Sequence, residues 1–237
     1  TDPSLRLTGR FNIDPRQPII QIALEGRQIN VATTRRIALA LTEDSDTFSN
    51  IFNILNDGDI QRITLETQGS DWAQLVDEKK MVIRGKLVGG KISVPVGSLE
   101  LENVQGDAIV ANGILMGENA EAQMGNSFAK KGKVAIPLTK DTAPFHIEAL
   151  VQADLSQLPP VLTNLIDEPK FQKELKLIEK FEGNALGMLV IGEDYRDINV
   201  KVMASDFTVN AVYKRIPYPV TLKGGSFLLD GTQIALT

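Results

Sequence analysis

The chain has 237 residues, 43% of them hydrophobic, with 25 Lys and Arg against 30 Asp and Glu for a formal net charge of -5. That apolar content is enough for the core of one large domain or two small ones and excludes a disordered chain, and the mixed charges give no basic stripe of the kind that binds nucleic acid. Cys is absent, which excludes disulfides, thiolate zinc sites and Cys nucleophiles.

From the N-terminus, Ile20, Ile22 and Leu24 alternate with Gln21, Ala23 and Glu25 and close on Gly26, the pattern of a half-buried strand. Phe48, Ile51, Phe52 and Leu55 follow at i, i+3, i+4 and i+7, with Ser45 and Asp46 as caps and Asn56-Asp57-Gly58 as a stop, so a short amphipathic helix is expected. Between Val82 and Leu138, Gly85, Gly89, Gly90, Gly97, Gly106, Gly113, Gly117, Gly125 and Gly132 punctuate short apolar runs, which reads as a meander of short strands with Gly at turns or bulges. No helical pattern follows these glycines, as a phosphate-binding loop would require.

The clearest strand is Phe145, Ile147, Ala149, Val151, Ala153 and Leu155, whose other face carries His146, Glu148, Gln152 and Asp154, with Leu150 out of pattern. A second helical segment is expected over Leu158 to Phe181. Ser156 is its candidate N-cap before Pro159 and Pro160, Pro169 bends it, and Phe171, Leu175, Ile178 and Phe181 form a stripe ending at Gly183. After a turn at Gly192-Glu193-Asp194 come Ile198, Val200, Val202 and Ala204; beyond Ser205-Asp206 come Phe207, Val209, Ala211 and Tyr213, spaced as antiparallel hairpins.

The fold class expected is α+β, mainly β: a long twisted antiparallel sheet of short strands, forming a groove or open barrel, with two short helical segments. In this reading a strand, helix, strands unit occurs twice, once over Ile20 to Leu65 and once over Phe145 to Ile191. The chain divides into 1–140 and 141–237, or forms one continuous domain.

Residues that carry enzyme chemistry are scarce. His146 is the single His, sits on a polar strand face, and has no Gly-x-Ser-x-Gly elbow to serve. The pairs Glu118 and Glu121, Asp194 and Asp197, and Asp44 and Asp46 read as solvated loops, and Asp44-Ser45-Asp46 lacks the Gly and terminal Glu of a calcium loop. Lys130, Lys131 and Lys133 flank Gly132 and are placed at a turn tip, and the sole Trp, Trp72, reads as a half-buried anchor. The expectation is a chain with no catalytic residue, metal site or cofactor.

Apolar strand faces outnumber the helix available to cover them, so the sheet must close, pack on another sheet, or enclose something apolar. Here the residues carry a resemblance. The run Gly106-Asp107-Ala108-Ile109-Val110-Ala111-Asn112-Gly113-Ile114-Leu115-Met116-Gly117, continued by Ala120-Glu121-Ala122-Gln123-Met124-Gly125-Asn126-Ser127, resembles the repeating strand pattern of AsmA-like proteins. So do Ala153-Asp154-Leu155-Ser156-Gln157-Leu158-Pro159 and the late segment Tyr213-Lys214-Arg215-Ile216-Pro217-Tyr218-Pro219 with Gly224-Gly225-Ser226-Phe227.

The resemblance implies a periplasmic envelope protein, anchored in the inner membrane by an N-terminal helix, that supports outer-membrane biogenesis and passes phospholipid along an apolar sheet face. It brings no catalytic residues with it. No stretch here approaches the roughly 20 apolar residues of a spanning helix, and the chain runs from Thr1 to Thr237 without an initial Met. The anchor is therefore expected outside it. Acyl chains are expected on Ile198, Val200, Val202, Phe207, Val209 and Ala211. The alternative is a structural module that docks other envelope proteins or neighbouring repeats through exposed strand edges.

Overall fold

Long alternating segments fold into strands because each can turn one face to a core and the other to water. The computed structural model describes residues 4–12, 19–41, 46–75, 77, 79–94, 99–138, 145–194, 197–231 and 233–236. In chain order these form β1 (Ser4–Asn12), β2 (Ile19–Asn30), α1 (Val31–Leu41), α2 (Asp46–Ile54), β3 (Leu55–Gly69), α3 (Trp72–Leu75), β4 (Val82–Val94) and β5 (Leu99–Ala111). There follow β6 (Ile114–Met124), β7 (Ser127–Pro137), β8 (Phe145–Asp154), a 3-10 turn over Leu155–Gln157, α4 (Leu158–Leu165) and α5 (Pro169–Leu175). The chain closes with β9 (Ile178–Asp194), β10 (Asp197–Tyr213), β11 (Val220–Lys223), β12 (Phe227–Asp230) and β13 (Gln233–Leu236).

All the described strands join one open antiparallel sheet in the order β1 to β10, then β12 and β13, with β11 paired to another stretch of β10. The mainly β class with a long antiparallel sheet is thus the observed one, and the sheet does not close into a barrel. The boundary between residues 140 and 141 falls between β7 and β8, which are hydrogen-bonded neighbours from Phe128↔Gln152 to Ala135↔His146.

The helices gather on one face. Ile54 of α2 and Ile166, just after α4, belong to the same core as Phe145, Ile191 and Val200 on the strands. A second core joins Val31 of α1 with Phe48 and Phe52 of α2 and Ile60 of β3. Each helix pair is inserted between two antiparallel neighbours, α1 and α2 between β2 and β3, α4 and α5 between β8 and β9. The opposite face is polar toward the N-terminus, where Arg84 pairs with Glu66 at 3.0 Å. Toward the C-terminus it turns apolar: Leu150, Met188, Met203 and Leu228 lie side by side across β8, β9, β10 and β12.

Several elements differ from the sequence reading, for local reasons. The strands are long, with 17 residues each in β9 and β10. β2 runs through Gly26 to Asn30, and β3 begins at Leu55, so Asn56-Asp57-Gly58 does not stop a helix but starts an irregular stretch of strand. The helix α1 has no expected counterpart; Asn30 caps it through Oδ1, which accepts from the Thr33 N–H at 2.7 Å. Asp154, not Ser156, caps the 3-10 turn, accepting from the Ser156 N–H at 3.0 Å.

The second helical segment ends at Leu175, and Ile178 and Phe181 belong to β9. Their helical spacing arises because Lys180, with φ 49°, adds a residue to β9 between Asn210↔Glu182 and Val212↔Glu179. Two residues three apart then share a strand face. Ser205 is likewise an extra residue inside one continuous β10, and it returns Phe207 to the face of Ala204. Lys130, Lys131 and Lys133 occupy a bulge within β7 rather than a turn tip, with Lys131 at φ 55°. Trp72 is 72% exposed at the start of α3, not a half-buried anchor. Asp44, Ser45 and Gly97 lie outside the described residues, as does the chain between β9 and β10.

Candidate functional site

The C-terminal half of the helix-bearing face is incompletely filled. On β9 Ala185, and on β10 Ala204 and Ala211, line the space beneath α4 and α5, and Gly183 and Gly187 flank Ala185 in the alternation of β9. Small side chains leave space that a helix lying above must fill. The helices do not fill it: α4 has 8 residues, α5 has 7, and α5 contains no fully buried residue. Gly183 is dictated by the backbone, since at φ 136° an added Cβ would stand 1.9 Å from the Thr208 carbonyl oxygen.

The result is a compartment of about 880 Å³. Leu158, Pro159 and Leu162 of α4 and Phe171 and Leu175 of α5 form its roof. Ile178, Phe181 and Ala185 of β9 and Ala204, Phe207, Val209 and Ala211 of β10 form its floor. Val220 and Leu222 of β11, Phe227 of β12 and Ile216 complete the lining. Ile216 is 44% exposed and Leu222 38%, so the compartment opens to solvent past these two apolar side chains.

Polar groups on the wall are few. Glu168 caps α5, its Oε2 accepting from the Phe171 N–H at 2.5 Å. Glu174 Oε2 accepts from the Tyr213 hydroxyl at 2.5 Å, and Glu174 Oε1 pairs with the Arg215 guanidinium. The hydrogen bond to Glu174 holds the Tyr213 phenol above its ordinary value of 10.0, and desolvation and the Glu174 charge act in the same direction. Lys170 also lines the compartment, is exposed, and has no ion-pair partner among the described residues.

The six expected contact residues divide. Phe207, Val209 and Ala211 line the compartment. Val200 is 3% exposed and packed in the main core against Leu229 and Ile191, and Val202 packs on that same core. Neither lines the compartment. Ile198 is paired with Glu193 in β10, and its side chain lies outside the described residues. Sequence reading missed the roof residues of α4 and α5 and the cluster of Glu174, Tyr213 and Arg215. The small residues Ala185 on β9 and Ala204 and Ala211 on β10 were the available signal.

Elsewhere the candidate groups stay apart. His146 Nε2 lies 3.5 Å from Glu148 Oε2 on the outer sheet face, remote from the compartment lining. Among the described residues no group of three His, Asp or Glu is placed to hold a metal ion, and no helix is long and apolar enough to cross a membrane. In comparisons with known proteins, no family model, no curated protein and no solved structure matches this chain.

Proposed function

We propose that the chain binds lipid acyl chains in the compartment between α4, α5 and the floor strands β9 and β10. The observation that carries this reading is an apolar space of about 880 Å³ with a solvent opening rimmed by Ile216 and Leu222. Ligand sites usually enclose roughly 300–1,000 Å³, with few polar groups on an apolar lining. Each methylene moved from water into such a lining gains about 0.8 kcal/mol. The tail supplies the affinity and no covalent step is needed. The AsmA-like resemblance extends the proposal to a phospholipid cargo, a periplasmic setting with an inner-membrane anchor, and a role in outer-membrane biogenesis.

The test is displacement of a fluorescent fatty acid by unlabelled lipid, run on the wild type and on Val209→Asp. Saturable binding that Val209→Asp weakens at least tenfold, with the fold intact by circular dichroism, supports the proposal; no saturable binding to the wild type refutes it.

One further observation favours a docking role in addition. Phe128, Leu186, Met203 and Leu228 are between 36% and 44% exposed on the outer face. Apolar patches of this kind commonly meet a protein partner. Cross-linking at Met203 in cell extract would capture such a partner, and a lone monomer throughout would remove this reading.

A further inference from the structure

We infer that the compartment selects an amphiphile with an anionic head group, and that Lys170 is the residue that seats it. The inference rests on the acyl-chain reading above and names the class of ligand that reading leaves open.

Charge on the wall comes from three side chains, Glu168, Lys170 and Glu174. Both carboxylates are already engaged. Glu168 is held by the Phe171 N–H of its own helix, and Glu174 receives the Tyr213 hydroxyl and the Arg215 guanidinium. Lys170 and Glu174 stand one turn apart on α5, a spacing at which opposite charges ordinarily meet. Glu174 is instead turned to Tyr213 and Arg215, and no ion pair joins it to Lys170. The ammonium at the rim is thus the one wall charge without a partner among the described residues.

Lys170 is exposed and lines the compartment, so the compartment also meets solvent at this side chain, and a tail lying on Phe207, Val209 and Ala211 with its head group there stays in the apolar lining. There a carboxylate or phosphate gains a charge-assisted hydrogen bond from Lys170. A cationic head meets an ammonium of its own sign, and a neutral alcohol gains nothing from the charge. An anionic head also leaves the clasp between Glu174, Tyr213 and Arg215 in place, since Lys170 takes no part in it.

The experiment measures displacement of a fluorescent fatty acid at neutral pH by tridecanoate, dodecyl phosphate, dodecanol and dodecylammonium, which share one twelve-carbon alkyl tail. Wild type, Lys170→Gln and Lys170→Arg are compared. The anions are expected to bind about fivefold more tightly than the alcohol, the ceiling for a solvent-accessible ion pair. Lys170→Gln is expected to erase that preference without changing dodecanol affinity, and Lys170→Arg to restore it. The ratio of tridecanoate to dodecyl phosphate separates a fatty-acid carboxylate from a phosphate head. Equal affinity for all four heads, or an anion preference that survives Lys170→Gln, overturns the inference and leaves the acyl-chain site standing. Failure of every amphiphile to displace the probe overturns both.

Discussion

The hydroxyl of Tyr213, the last residue of β10, donates to Glu174 Oε2 on α5 across 2.5 Å, so the end of the sheet holds the last turn of the roofing helix. Arg215 adds an ion pair to the same carboxylate. α5 has no fully buried side chain, and its other described side-chain ties run from Gln172 to the carbonyls of Thr163 and Ile166, within the roof itself. The roof is therefore attached to the floor by a polar clasp and by partly buried apolar contacts.

The first prediction concerns that clasp. Tyr213 is expected to ionise above 10.0 because its hydroxyl donates a hydrogen bond to the Glu174 carboxylate, which favours the neutral phenol. A phenol whose folded value is raised contributes stability at pH below its unfolded value of 10.0 and loses it as pH rises through the folded one. Absorbance titration of tyrosinate should show a late step that belongs to Tyr213, and Glu174→Gln should bring that step forward. An unchanged titration in Glu174→Gln would mean that the bond does not persist in solution.

The second separates core from compartment along a single strand. Val200 is buried in the main core, so Val200→Asp places a charge where nothing pairs it and is expected to cost about 4 kcal/mol, enough to threaten folding. Val209 faces the compartment, so Val209→Asp is expected to keep the fold and lose the ligand. Urea denaturation beside ligand titration tells the two apart. Equal stability in the two variants would contradict the placement.

How much of this could be read in advance varies along the chain. The alternation from Phe145 to Leu155 specified β8 and its buried face, because period two admits no other regular structure. Ile178 and Phe181 deceived for the opposite reason: a bulge at Lys180 gives a strand the spacing of a helix, and no local propensity marks an extra residue. α1 was hidden by the β-branched Val31, Thr33 and Thr34 at its start, where Asn30 supplies the cap that tips the balance. Phe207, Val209 and Ala211 were legible as one apolar face, but whether space remains above them depends on where α4 and α5 stop. That is a tertiary property.

The third prediction is an acid dependence. Asp154 accepts from the Ser156 hydroxyl at 2.7 Å, from the Asn126 amide at 3.0 Å and from the Ser156 N–H at 3.0 Å, and these bonds hold its carboxyl below the ordinary 3.8. Its contribution is present above the unfolded value and is lost as pH falls through the lowered folded value. Asp154→Asn should lower the melting temperature at neutral pH and narrow its gap to wild type at strongly acidic pH. A gap that stays constant with pH would remove Asp154 from the set of groups that make the fold acid-sensitive.

The central claim is that the space beneath α4 and α5 is occupied by acyl chain, and the most direct measurement is native mass spectrometry with lipid extraction on wild type and Ala211→Trp. The substitution fills the floor from a half-buried position that already faces the space. The account expects lipid to accompany the wild-type chain and to be lost from Ala211→Trp, with melting temperatures within a few degrees of each other. A wild type that carries no lipid and acquires none from added amphiphile, or an Ala211→Trp chain that retains as much as wild type, would contradict it.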